Sequence, residues 1–169
     1  MLLTLLLALA LLLSCAFFSA AESSLVRARR ERLEELAEQG DLAAQKAEHA
    51  RRHLDRYLRG ARLGIVLSVL GFGAATVQPL SAGLSGLLES FGIPAVVSVP
   101  VGVLTAFLVL FAVVLVFGLA LPRSVALSDP ERISRATAGP LGVFCTFVGP
   151  FLVLLERVED RSSRADEPG

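Results

Sequence analysis

Apolar positions in this chain fall into long uninterrupted runs, set apart by one strongly charged connection and several short breaks. The first run fills residues 2–21. As a helix rising ~1.5 Å per residue, it reaches about 30 Å, the hydrocarbon thickness of a bilayer. No charge lies between Arg62 and Glu89, or between Glu89 and Arg123. Each gap exceeds the roughly 20 residues that a spanning helix needs, and the pattern predicts spans over residues 63–80 and 99–121. Gly60, Gly64 and Ser68 recur every four residues, followed by Gly71 and Ala75. This spacing makes a flat face for close helix packing. Pro79 is expected to end or kink the second span, residues 81–94 to form a turn region, and Pro122 to end the third span.

Residues 26–62 form the charged connection. Two helices are predicted, over 24–39 and 42–59, with Gly40–Asp41 as the turn. Glu31–Glu35, Glu34–Glu38 and Arg52–Arg56 are like-charge pairs at i, i+4, so these helices need tertiary support. A juxtamembrane hairpin fits. After the third span, Asp129–Pro130 starts another helix. Residues 138–155 are uncharged but broken by Gly139–Pro140 and Gly149–Pro150. Hydropathy fits either a fourth span or a helix lying in the interface. The breaks favour a bent, belt-like interfacial helix over 131–155, and residues 156–169 read as a charged, disordered tail. The expected fold is an all-α integral membrane protein with three transmembrane helices, a helical hairpin after the first and a bent helix after the third. Residues 1–155 form its one membrane domain.

Composition agrees: 54% of the 169 residues are hydrophobic and mean hydropathy is +0.66. The formal net charge is zero, which offers nothing to nucleic acid; the partner composition implies is the lipid bilayer. Cys15 and Cys145 both lie in apolar segments, poor places for a disulfide or a thiolate metal site. The first run lacks the basic start of a signal peptide and is longer than the usual core of one, so it reads as a retained helix. Ten basic residues lie in the first connection, from Arg27 to Arg62, and none in 81–99. The third connection carries Arg123, Arg132 and Arg135. This asymmetry predicts a multi-pass cell-membrane protein with the N-terminus outside and the basic loop cytoplasmic.

The chemistry worth weighing gathers in residues 11–25, LLLSCAFFSAAESSL. Ser19, Glu22 and Ser23 stand at i, i+3 and i+4, so they share a helix face, with Cys15 one turn above. A carboxylate at membrane depth usually faces a protein interior or a wet cavity. Against that stands a plainer reading: Glu22 marks the headgroup level, and the serines are small residues that let helices approach. From this stretch alone the plainer reading is favoured. His49 and His53 have a zinc-compatible spacing, but Ala50 stands where a zinc protease needs glutamate, and Arg51 and Arg52 repel a cation. Gly71–Phe72–Gly73 follows no strand and is set aside. No nucleophile–base pair is evident, so the chain is not expected to be an enzyme.

Three stretches resemble the membrane domain of the CNNM/CorC (haemolysin-C-like) divalent-cation transport family. They are FFSAAESSLVRARRERLEELAEQGDLAA at 17–44, LGIVLSVLGFG at 63–73 and FGLALPRSVALSDPERISRATAGPL at 117–141. The last is similar to the family's GE-x-x-PK-S-x-A followed by a P-E-R helix. The resemblance implies three membrane helices, a juxtamembrane hairpin and a belt-like helix. It also implies dimerisation and a magnesium ion carried among polar groups of the first two helices and the motif glutamate. Ser19, Glu22 and Ser23 stand at the first-helix polar positions, and Gly64 and Ser68 match on the second. Ser19, Glu22, Ser23 and Ser68 are therefore the metal-site candidates that the resemblance implies. Leu119 replaces the motif glutamate, Arg123 the lysine, and Ile65–Val66 an asparagine pair found in some members. Gln78 stands where many bacterial members have glutamate. Mg²⁺ sheds water reluctantly and needs several oxygens, so the implied site is degenerate. Full-length members add CBS modules. The implied function is that of a divalent-cation transport domain with no resident cofactor, Mg²⁺ being the carried ion. The alternative is a non-transporting partner, pairing as a homodimer or with a CBS-containing relative.

Overall fold

The computed structural model describes residues 2–150. Its helices are α1 (Leu2–Arg27), α2 (Arg30–Glu38), α3 (Leu42–Arg52), α4 (Leu54–Ser90), α5 (Ala95–Val113), α6 (Leu121–Ser128) and α7 (Pro130–Phe147). A π-helical stretch, Val114–Ala120, joins α5 to α6 without a break. Three helical runs are long and apolar enough to cross a membrane: Leu2–Arg27, Leu54–Ser90 and Ala95–Ser128. The chain divides into two compact units, Met1–Ala20 with Gly64–Val125, and Ala21–Leu63 with Ala126–Gly169.

The first unit is the apolar one. One face of α1 seats on glycines. A Cβ at Gly71 would meet Leu11 at 3.1 Å, one at Gly118 would meet the Cys15 sulfur at 3.0 Å, and one at Gly64 would meet the Phe18 ring at 2.6 Å. Leu11 and Phe18 are two turns apart on α1, and Gly71 and Gly64 two turns apart on α4 in the opposite sense. The two helices therefore run antiparallel in close contact, as small residues permit. Ala8, Cys15, Phe72 and Val114 make the buried cluster, with Leu12, Ile65, Val69, Leu110 and Leu119 packed around it. The small-residue strip of the second span is thus consumed, at Gly64, by the chain's own first helix. Most remaining apolar side chains of this unit face outward, as lipid-facing side chains do.

α4 and α5 form a second antiparallel pair. Gly92 takes φ +84°, where glycine is favoured, and the amide of Ile93 reaches back to the Leu88 carbonyl at 3.3 Å. This left-handed cap ends α4. Ser98 is fully buried and donates to Glu89 Oε1 at 2.9 Å. A Cβ on Gly102 would lie 3.0 Å from the Ser81 carbonyl oxygen and from the Ser85 amide nitrogen, so here backbone meets backbone.

Prolines punctuate less than the sequence suggests. α4 passes through Pro79 to Ser90, so only residues 91–94 of the expected 81–94 turn region are irregular. The third run continues past Pro122 to Ser128, and α7 passes through Pro140 to Phe147. In the apolar surrounding of Pro79 and Pro122, leaving the helix would orphan more backbone groups than the proline does. Residues 54–59, expected in the hairpin, instead begin α4; the hairpin's second helix ends at Arg52, with His53 as its cap. The second expected break, Gly149–Pro150, follows the end of α7. Residues 151–155 of the expected belt helix and the expected tail 156–169 lie outside the described residues.

The second unit is a polar helical assembly around Leu25, Leu33, Leu141 and Cys145, all buried. Ala44, Ala47 and Ala50 give α3 a flat buried face, and α7 packs on α3 with Ser134, Ala138, Leu141 and Cys145 buried. Gly40, at φ +90°, closes α2. Asp41 then does two jobs. Its Oδ1 accepts from the amides of Ala43 (2.8 Å) and Ala44 (3.2 Å), capping α3. Its Oδ2 takes Arg135 Nη1 of α7 at 2.6 Å. Arg51 Nη1 donates to the carbonyls of Leu25 (2.8 Å) and Val26 (3.2 Å), satisfying the last turn of α1. The like-charge pairs of the hairpin are offset by Arg30–Glu34, Arg32–Glu35 and Arg52–Glu48.

Two predictions follow from this packing. Gly102→Ala should destabilise the protein by about 1–3 kcal/mol, even though alanine is the better helix former. Gly73→Ala meets nothing within 4 Å and should be neutral or slightly stabilising. Thermal melts of both variants in detergent check this, and equal melts would remove the close α4–α5 contact. The second concerns pH. The Arg135 guanidinium, then the Ala44 and Ala43 amides, hold the Asp41 carboxyl below its ordinary range. A lowered native pKa means that the stabilisation is complete above about pH 3.9 and fades as pH falls below it. Asp41→Asn should therefore melt below wild type at pH 6, and the gap should shrink toward pH 2–3.

Candidate functional site

The four candidate residues fall in two units: Ser19 and Ser68 in the apolar one, Glu22 and Ser23 in the polar one. Each is described in its own unit.

Ser19 is buried on α1, and its hydroxyl donates to the Leu119 carbonyl at 3.3 Å. Cys15, one turn earlier and also buried, points its thiol at the Gly118 carbonyl at 3.7 Å. Both acceptors lie in the π-helical stretch, just ahead of Pro122. It has no N–H to give the carbonyl of Gly118, four residues back. The ladder widens ahead of it, so the Leu121 amide bonds Val116 O, five residues back. Such π-bulges recur at functional positions of helices. Here the loosened carbonyls are met by a thiol and a hydroxyl one turn apart on α1. The Leu119 side chain packs against the apolar cluster with Ile65 and Val69.

Ser68 is buried in α4. Ile65 occupies the apolar cluster and Val66 is exposed, so neither position supplies oxygen. Gln78 is exposed. A cleft of about 450 Å³ on this unit is lined by Phe72, Val77, Phe107, Phe111 and Leu119 among others; it offers a cation no ligands.

Glu22 is half-buried, and its Oε1 takes Arg62 Nε at 2.9 Å. Its partner thus lies 40 residues away along the chain. The signal for Arg62 was present: Glu22 is the first charge after one apolar run and Arg62 the last before the next, so antiparallel spans put both at one level. Ser23 is half-buried, while its neighbour Ser24, not singled out beforehand, is fully buried and donates to the Ala21 carbonyl at 3.1 Å.

His49 and His53 are both exposed, with ring centroids 4.6 Å apart. Among the described residues, no group of three or more His, Cys, Asp or Glu side chains could hold a metal ion. In chemical terms the apolar unit offers hydroxyls and backbone carbonyls, and the polar unit a carboxylate already carrying a cation, the Arg62 guanidinium.

Comparison with known proteins agrees with this architecture. The family model described as the cyclin M transmembrane N-terminal domain, CNNM, matches residues 6–165. The chain is 34% identical over 140 residues to UPF0053 protein YhdT of Bacillus subtilis, covering 83% of this chain and 30% of that protein. It is 36% identical over 157 residues to uncharacterized protein Rv1841c of Mycobacterium tuberculosis, covering 87% and 41%. It is 28% identical over 145 residues to UPF0053 inner membrane protein YfjD of Escherichia coli, covering 85% and 30%. The chain thus spans 30–41% of these relatives' length.

One prediction concerns the π-helical stretch. Removing both donors, in Cys15→Ala with Ser19→Ala, should cost about 1–2 kcal/mol, by the usual worth of polar contacts between membrane helices. Ser19→Ala should carry most of that loss, because the thiol is the weaker donor. Thermal melts in detergent check it. A neutral double variant would mean that the carbonyls of Gly118 and Leu119 need no donor from α1.

Proposed function

Since the chain belongs to the CNNM transmembrane-domain family, we propose that it is a divalent-cation transport domain whose ion site is degenerate, binding and carrying Mg²⁺ weakly. The observation that carries this reading is the Glu22–Arg62 ion pair. The carboxylate that would hold the ion is already neutralised by a side chain. The Leu119 side chain, at the family's second carboxylate position, packs in an apolar cluster. Mg²⁺ demands several oxygens in near-octahedral array and gives up water reluctantly. Ser19, Ser23 and Ser68 contribute neutral oxygens alone. No bond-making chemistry is proposed for these residues, and the reading is not of an enzyme. In this proposal the N-terminus is outside, the basic loop between the first two spans is cytoplasmic, and the domain pairs with a second copy or with a CBS-containing relative.

A second reading has its own support. If Arg62 holds Glu22 permanently, the domain carries no ion and acts as a membrane partner of a longer relative. The large outward apolar surface of its spans suits either role.

The test is Mn²⁺ and Mg²⁺ binding to the purified chain, with uptake into liposomes alongside. Wild type should bind weakly. Leu119→Glu should bind more tightly by restoring a carboxylate, and Arg62→Gln should bind more tightly by releasing Glu22. Tight wild-type binding abolished by Glu22→Gln would overturn the degenerate-site reading. No gain in either Leu119→Glu or Arg62→Gln would favour the non-transporting partner.

A further inference from the structure

The polar unit holds a cavity of about 540 Å³ that the ion reading does not use. Four arginines line it, Arg29 and Arg32 from the start of the hairpin and Arg132 and Arg135 from the first turns of α7, together with Asp129 and Glu131. Both acids are engaged by backbone. Asp129 Oδ1 accepts from the Arg132 amide at 3.2 Å, and Glu131 Oε1 from the Arg29 amide at 3.4 Å. Two of the arginines have carboxylate partners elsewhere: Arg32 on Glu35 and Arg135 on Asp41. Among the described residues, the Arg29 and Arg132 guanidiniums have no ion pair, and Arg135 Nε is buried without a hydrogen bond. The cavity therefore has more guanidinium donors than its own carboxylates use. Planar guanidiniums in excess match the oxygens of a phosphate ester.

Chain connectivity says where such an ester would come from. Arg29 lies two residues beyond the end of α1 at Arg27, and Asp129 directly follows α6 at Ser128. Both helices close runs long and apolar enough to span a membrane. Two residues reach at most about 7 Å. Both walls of the cavity thus begin at the ends of spans, at headgroup depth, where basic residues attract anionic lipid.

We propose that this cavity binds the phosphate ester of an anionic phospholipid headgroup, with Arg29 and Arg132 as its principal donors. The proposal does not depend on whether the chain carries an ion.

The experiment compares the wild-type chain, an Arg29→Gln/Arg132→Gln double variant and an Arg30→Gln/Arg52→Gln double variant. The last removes the same charge from exposed sites outside the cavity. Each is titrated with phosphatidylglycerol in phosphatidylcholine nanodiscs, and separately with inorganic phosphate in nanodiscs of phosphatidylcholine alone. Phosphatidylglycerol should bind wild type, and the cavity variant should lose on the order of thirtyfold in affinity, taking each arginine at its usual worth near an anionic surface. That loss should exceed the control variant's by at least about fivefold. Equal losses in the two variants would reduce the effect to diffuse surface charge and overturn the proposal. Saturable inorganic phosphate binding without preference for phosphatidylglycerol would overturn the lipid assignment. Both glutamine variants keep the backbone bonds to Asp129 and Glu131, and circular dichroism verifies their folding.

Discussion

No water is available in the apolar unit to take an orphaned backbone group, and that constraint shapes most of what this chain does there. Each proline in the long helices removes one N–H. The chain answers by continuing the helix, because breaking it would strand several groups instead of one. At Pro79 continuation suffices. At Pro122 the ladder itself widens to a π-helix, and the carbonyls of Gly118 and Leu119 are met by Cys15 and Ser19 from α1. Cys15 and Ser19 of the first span therefore have a structural task.

The same face of α1 fixes packing. Leu11, Cys15 and Phe18 each seat on a glycine, and the side chain absent from each glycine is the room the α1 residue fills. Cys15 joins the two roles, since its sulfur packs on Gly118 and its thiol faces the carbonyl of that residue. A sequence with bulkier residues at positions 64, 71 and 118 could not bring these helices so close.

Architecture was therefore legible where it depended on composition and period. Uninterrupted apolar runs gave the three spans, the charge density of 27–62 gave the hairpin, and Gly40–Asp41 gave its turn. Helix ends were less legible, because propensity assigns proline and glycine the role of breakers, while an apolar surrounding overrides it. That is why α4 runs through Pro79, and why the third run passes Pro122. At the candidate site, the positions of Ser19 and Glu22 could be read from helix spacing. Their partners could not, since Leu119 O and Arg62 come from elsewhere in the chain. A backbone carbonyl as acceptor leaves no side-chain signature to search for.

Two interhelical ion pairs of the polar unit show how similar contacts carry different consequences. Asp41–Arg135 joins two helices through a carboxylate that also caps α3, so three hydrogen bonds converge on it. Glu22–Arg62 has one such bond, and the Arg62 side chain is 68% exposed. An exposed pair of this kind is worth little to stability. Its effect is on the carboxylate, whose charge is offset and one of whose oxygens is occupied. A cation approaching Glu22 meets a guanidinium that is covalently tethered and always charged. The local concentration of that competitor is set by the chain and does not fall when the solution is diluted. The Arg62 guanidinium beside Glu22 thus lowers the net negative charge at the end of the first span.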